Sequence, residues 1–235
     1  MFFRNHLLRA LSADDASALR WSMREVVLPT GQMICRRGDM VEAVYFPSTA
    51  VLSMVAVIGD ERTVETATVG FEGAAGLLAA LGEEPISSDI FAQIGGAAIS
   101  VPANVLRRRA FESPTFMQLA LRSAQANYAQ CEQSVACMAV HGVRARLARW
   151  LLVTDDRIGS DIVPLTQAHL ALMMGVQRTT ISAAAGELKA AGLVGYIRGQ
   201  IQIVDRAGLE RQACECYQAN HAALTRLAGL SQPAQ

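Results

Sequence analysis

The sequence predicts an α+β fold: an N-terminal antiparallel β-roll, then a long helix, then a C-terminal winged helix-turn-helix. Three observations carry that prediction. Short β-rich runs broken by Gly, Pro, Asp and Asn fill residues 26–105. An apolar seam alternating at spacings of four and three occupies residues 117–138. Residues 165–203 read as two short helices joined through Gly175 and followed by an alternating hairpin.

Residues 1–25 read as short helices. Ser12-Ala13-Asp14-Asp15 has the form of a capping box with Asp for Glu, and Ala16, Leu19 and Met23 follow at helical spacing. The strand candidates are Met33–Cys35, Ala43–Phe46, Val51–Val57, Thr63–Val69, Ile90–Ile94 and Ala97–Val101. Six or more strands of that length at near-regular spacing suit a small antiparallel roll. Phe71–Leu81 is Gly/Ala/Leu-rich with helical spacing and reads as a helical turn set between strands. Residues 103–112 open the helical half. The interval from Pro114 to Pro164 holds no proline, room for one long helix and a second, short one.

On the long helix, Met117, Leu121, Ala124, Tyr128, Cys131, Val135 and Met138 form an a/d seam, as two helices supercoiling side by side require. Arg122, Gln125, Gln130 and Glu132 are polar and fall outside the seam, so this is the expected dimerisation helix of a homodimer. The other reading is a lone amphipathic helix packed on its own domain, which needs a wider stripe; Ala120, Ala129 and Ala136 widen it a little. Expected boundaries are 1–112 for the roll, 113–142 for the dimerisation helix, 143–211 for the winged domain and 212–235 for a C-terminal helix or tail.

Composition narrows the function. The 235 residues are 51% hydrophobic, too apolar for intrinsic disorder, and their 21 basic and 21 acidic side chains cancel, which excludes a polycation or acidic-tail protein. The balance is local, however. Residues 141–211 hold 9 basic and 6 acidic side chains, whereas residues 1–140 hold 11 and 14. No uncharged apolar run reaches membrane-spanning length, and the N-terminus lacks a secretory pattern, so a cytoplasmic protein with no membrane partner is expected. The five scattered cysteines then read as reduced thiols.

The helix pair carries the chemistry. Thr166 caps the first helix, in which Leu170, Leu172 and Met173 are apolar, and the second begins near Gln177. Its inward side is Ile181, Ala184, Ala185 and Leu188; its outward side is Arg178, Thr179, Ser182 and Lys189. Such a second helix lies in the major groove of double-stranded DNA. Arg near its start can bond bidentately to guanine, Thr and Ser reach base edges or phosphate, and the small Ala183 permits close approach. The expected DNA contacts are Thr166, Gln177, Arg178, Thr179, Thr180, Ser182, Ala183 and Lys189, with Arg198 on the hairpin touching phosphate. Gly186 within the second helix costs about 1 kcal/mol relative to Ala, which close helix packing would explain.

With these residues in view, nearly the whole chain resembles bacterial transcription regulators of the Crp/Fnr superfamily. The resemblance rests on the helix-turn-helix and wing, on Gly31-Gln32 with Arg37-Gly38-Asp39, and on Val44-Tyr45-Phe46-Pro47. Val69-Gly70-Phe71-Glu72-Gly73 and Arg146-Leu147-Ala148-Arg149-Trp150-Leu151-Leu152 extend it. Asp205–Glu210 and Cys214-Glu215-Cys216-Tyr217 look like a proteobacterial subgroup. The resemblance implies a cyclic-nucleotide-binding-like sensor roll, a homodimer on near-palindromic promoter sites, and RNA polymerase as a further partner. The family's recognition arginine falls on Arg178. Thr179 replaces the Glu that often follows, and Ala183 replaces a second Arg, so the operator need not be the one the cyclic-AMP receptor reads, and shape readout gains weight.

The effector positions carried over from the family are Gly73, Ala74, Ser87 and Ser88. In the family a Gly-Glu pair and a later Arg-Ser pair hold the nucleotide; here Ala74 stands in place of the Glu, and residues 83–89 contain three acids and no Arg. Cyclic AMP or GMP is therefore not expected, and the effector is unknown or absent. The run Arg107–Arg109 reads as a solvated face. No cofactor is expected: Cys35 is the one thiol before Cys131, too few for an N-terminal iron–sulfur cluster, and His6 and His141 are isolated candidates for haem. Cys214 and Cys216, two apart, would face away from one another on a helix, which argues against a metal there; thiols packed against the winged domain are expected instead. Enzyme readings fail for want of a P-loop, a Rossmann fingerprint or histidines within the roll. Two alternatives stay open: a winged domain that binds protein rather than DNA, and a regulator answering to a cyclic nucleotide or to thiol redox state.

Overall fold

The computed structural model describes residues 4–59, 62–197 and 200–228. They divide into two units. One holds the described residues up to Met54, Ala67–Gln130 and those from Ala222 onward; the other holds 55–66 and 131–221.

In the first unit, α1 (His6–Arg9) is started by Asn5, whose side chain accepts from the backbone N–H groups of Leu7 and Leu8. The same amide donates to the carbonyls of Pro47 and Gly73 at 3.0 and 2.8 Å, so a cap also fastens the helix to the roll. Helix α2 (Ala13–Leu19) begins at Ser12, which accepts from the Asp15 N–H as the capping pattern predicts. Asp15 is itself buried and binds the Arg109 guanidinium at 2.6 Å, with Asp14 on the same guanidinium. This corrects the reading of Arg107–Arg109 as a solvated face: Arg109 is paired, and Arg107 lies 2.9 Å from Glu83.

Strands β1 (Arg24–Leu28), β7 (Gly96–Pro102) and β3 (Ala43–Pro47) form one antiparallel sheet in that order. Strands β2 (Met33–Cys35), β6 (Asp89–Ile94), β4 (Val51–Ile58) and β5 (Arg62–Val69) form the other. All six predicted runs are strands. The seventh, β1, was missed because Arg24-Glu25-Val26-Val27-Leu28 is charged at its start and Val27 is 78% exposed, leaving a weak alternating signal. Helix α3 (Leu77–Gly82) is the predicted insertion between strands, and α4 (Ala103–Glu112) follows β7. Leu28, Leu52, Val69, Ile90, Ala92 and Ala98 fill the roll. A second cluster joins Leu7, Leu19, Val44, Phe46, Ile99, Leu106 and Phe116 around the helices.

Helix α5 (Pro114–Val140) runs 27 residues. Its buried stripe is Phe116, Ala120, Ser123, Ala126, Gln130, Ser134 and Cys137. Gln130 was expected to face solvent. Instead its amide accepts from the Thr68 N–H at 2.6 Å and donates to the Thr68 carbonyl at 3.2 Å, satisfying the backbone of edge strand β5.

In the second unit, Gly142 interrupts the helical path with an extended backbone and caps α6 (Val143–Ile158), which at 16 residues is not the short helix expected. Strand β8 (Ile162–Val163), helices α7 (Gln167–Met174) and α8 (Arg178–Ala190), strands β9 (Val194–Ile197) and β10 (Gln200–Ile203), and helices α9 (Arg206–Gln212) and α10 (Cys216–Ala228) follow. Leu147, Leu151, Leu152, Leu170, Ile181, Leu188, Ile201 and Leu209 form fully buried apolar contacts of this unit. The sheet order is β8-β10-β9, so the predicted hairpin gains a third strand that two residues are too few to announce. Arg206 ties α9 to α6 through Asp155 and Asp156, and Tyr217 on α10 donates to Asp156 at 3.0 Å.

Candidate nucleic-acid interface

Thr166 starts α7 by accepting from the His169 N–H. Gly175 ends the helix at φ +65°, with its own N–H on the Leu172 carbonyl and that of Val176 on the Ala171 carbonyl. This is a Schellman stop, and glycine is needed there because an L side chain is strained at that φ. A Cβ would also stand 2.9 Å from Val64. Gln177 then turns the chain into α8 without a side-chain cap. Behind the turn, the buried Arg146 donates to the Met174 carbonyl at 2.8 Å, and burial lowers its pKa from the ordinary arginine value.

Helix α8 divides as predicted. Ile181, Ala184, Ala185 and Leu188 are buried, while Gln177, Arg178, Thr179, Thr180, Ser182, Ala183 and Lys189 are exposed, as is Thr166. The structure thus brings eight of the nine expected contacts to the same helix pair; Arg198 lies outside the described residues. Arg178, in the first turn, makes no hydrogen bond or ion pair among the described residues. Among the apolar residues of the first helix, Leu170 and Met173 are buried and Leu172 is 49% exposed. The packing explanation for Gly186 is also wrong: a Cβ there meets open space.

Two side chains that sequence reasoning passed over organise this face. Ser182 Oγ donates to Gln167 Oε1 at 2.7 Å, and Gln167 Nε2 donates to the Tyr196 hydroxyl at 2.7 Å. The Lys189 ammonium sits 5.4 Å from the Tyr196 ring centroid. Helix α7, helix α8 and the wing strand are thereby joined at their exposed edges. Polar residues on three separate elements gave no local pattern by which to find the chain.

The four effector positions that the resemblance implies are less open. Gly73 and Ala74 are buried, Ala74 within the helical cluster; Ser88 is buried and Ser87 exposed. A cavity of about 380 Å³ in the first unit is lined by Ile34, Cys35, Asp39, Met40, Val41, Glu42, Ala43 and Tyr45, and contains none of those four. Its charged lining is two carboxylates, which add to burial in raising the pKa of the buried Cys35 thiol.

The seam positions of α5 fall into two rows. Leu121, Tyr128 and Val135, seven apart, are 58, 60 and 64% exposed; Met117, Ala124, Cys131 and Met138 are half-buried.

Cys137, His141, Cys214 and Cys216 come together, their donor atoms all within 4.8 Å of one another. The C-x-C thiols do not diverge as their spacing predicts, because they do not share a helix: α9 ends before Ala213, whose backbone is extended, and α10 starts at Cys216. Cys137 and Cys214 share a hydrogen bond, which favours the thiolate of Cys137 and pushes the Cys214 thiol up.

Among the described residues, no helix is long and apolar enough to cross a membrane. The family model for the cyclic nucleotide-binding domain matches residues 25–112, and that for the Crp-like helix-turn-helix domain matches residues 145–212. No curated protein matches the chain in sequence. Among solved structures, a Crp/Fnr-family regulator from Eubacterium rectale shares 16% identity at a TM-score of 0.71, over 88% of this chain and 96% of that one. FixK2 from Bradyrhizobium japonicum shares 18% at 0.71, over 82% and 98%. CLP of Xanthomonas campestris, described as a c-di-GMP-responsive global regulator, shares 15% at 0.67, over 82% and 99%. With a cyclic nucleotide-binding-type roll, a long helix and a Crp-like helix-turn-helix in that order, the chain belongs to the Crp/Fnr superfamily of transcriptional regulators.

Proposed function

We propose that this protein is a homodimeric, sequence-specific DNA-binding regulator of transcription that places two α8 helices in successive major grooves of a near-palindromic site. The observation that carries the reading is the exposed first turn of α8, with Arg178 free of any protein partner among the described residues and Thr179, Ser182 and Ala183 beside it. An unpaired guanidinium at the start of such a helix can bond guanine O6 and N7. Lys189 is about eleven residues along the helix, roughly 16 Å at 1.5 Å per residue, and suits backbone phosphate rather than the same base. The chain divides functionally into the sensor (1–112), the dimerisation helix (113–142), the DNA-binding domain (143–211) and the C-terminal segment (212–235). Exposure of Leu121, Tyr128 and Val135 at heptad spacing supports pairing of α5 with its copy.

The sensor does not take cyclic AMP or GMP in this reading. Ala74 has no carboxylate for a ribose, and the cavity beside β2 carries Asp39 and Glu42 with no basic side chain to meet a phosphate. Selection of genomic DNA fragments by the purified protein tests the proposal. A recovered motif with two-fold symmetry, lost with Arg178→Ala, is the expected result. A motif unaffected by that substitution, or protein partners bound in place of DNA, would overturn it.

A further inference from the structure

We propose that Cys137, His141, Cys214 and Cys216 form a closed, four-coordinate structural site for a thiophilic divalent ion, zinc(II), pinning the start of α10 to the end of α5.

The chain supplies the site from two places far apart in sequence. Cys137 and His141 are four apart at the end of α5 and so share a face, with the His141 N–H on the Cys137 carbonyl at 3.1 Å. Cys214 lies in the break between α9 and α10 and Cys216 opens α10, so the two are not held apart on one helix and both thiols come close to Cys137 and His141. Cys137 Sγ lies 3.5 Å from Cys214 Sγ, and Cys216 Sγ lies 3.6 Å from His141 Nδ1. Around a tetrahedral zinc with Zn–S near 2.3 Å and Zn–N near 2.0–2.1 Å, ligand atoms stand about 3.5–3.8 Å apart. The largest separation here, 4.8 Å or less, needs only small side-chain rotations to reach that geometry. All three cysteines are buried and none is in a disulfide.

The surroundings match what holds a ligand set in place. With His141 Nδ1 facing the thiols, its Nε2 meets Glu215 Oε1 at 3.2 Å. A carboxylate behind a metal-binding imidazole fixes its tautomer and raises its basicity. Gln133 Nε2 donates to Cys216 Sγ at 2.9 Å, a bond suited to a thiolate. Three sulfurs and one imidazole complete the coordination and leave no open position, which marks a structural rather than a catalytic ion. An iron–sulfur cluster would interpose itself between the thiolates and hold them farther apart. Binding zinc releases thiol protons and adds its free energy to the folding of this unit.

The test uses the full-length chain without a polyhistidine tag, purified under reducing conditions with no chelator. Elemental analysis should give about one zinc per chain. Cobalt(II) added to the stripped, reduced protein should give the visible bands of a tetrahedral site with thiolate charge transfer. Cys214→Ser should abolish both, whereas Cys35→Ser should keep them. Should Cys214→Ser fail to fold, Glu215→Gln serves in its place: it leaves all four ligands and should weaken zinc binding about 10- to 100-fold. Folded, reduced wild-type protein without zinc and without a cobalt spectrum would overturn the proposal. So would iron with labile sulfide, or a Cys137–Cys214 disulfide in protein trapped by thiol blocking at lysis.

Discussion

Truncating Leu121 should loosen the dimer without unfolding the chain. Leu121 is 58% exposed on α5, so much of its side chain touches nothing within its own chain. Leu121→Ala removes Cγ and both Cδ carbons, worth about 0.8 kcal/mol each when fully buried. Scaled by that exposure, the loss on forming the seam is ~1.4 kcal/mol per protomer and ~3 kcal/mol for a symmetric pair. That corresponds to roughly 100-fold weaker self-association. Because Ala is the best helix former, the helix itself should be unharmed. Sedimentation equilibrium over a wide concentration range reads the effect directly, with Arg122→Ala as the control on an exposed position off the seam. An unchanged association constant for both Leu121→Ala and Val135→Ala would refute the assignment of this row to the dimer.

Other expectations follow from the same structure. Gly186→Ala should stabilise the DNA-binding unit by about 0.5–1 kcal/mol, since the added Cβ meets open space and glycine is costly inside a helix; a lower urea midpoint would show the site is closed in solution. Burial lowers the pKa of His169 below its ordinary 6.5. The folded form then binds fewer protons than the unfolded one, so its contribution is complete above pH 6.5 and is lost as the pH falls below that value. His169→Gln should accordingly flatten the fall in urea midpoint between about pH 7.5 and 5.5, and an equally steep fall in the variant would contradict this.

Much of the fold was legible because it repeats locally. Strand alternation, the a/d seam on α5 and the Gly175 stop are patterns a few residues long, and each has an element where expected. Strand β1 escaped because its exposed Val27 and charged first residues blur the alternation. Features set by distant contacts were not legible. Gln130 is polar in sequence yet is buried against Thr68, 62 positions away, and Arg109 is drawn inward by Asp15, 94 positions away. The thiol cluster joins residues 77 apart, and the C-x-C spacing misled because a helix was assumed where the chain breaks. The exposed residues of α8 were readable from its period. The Ser182–Gln167–Tyr196 chain was not, since it exists only once three elements are packed.

In the proposed function, α8 reads bases through Arg178. The most direct test of that role measures the affinity of wild type and Arg178→Ala for the selected site and for a panel of single-base variants, at fixed salt. A loss of roughly 1–3 kcal/mol on the selected site, with preference relaxed at one base position per half-site and retained elsewhere, is the result predicted. Equal weakening on every duplex in the panel would make Arg178 a phosphate contact and contradict the account.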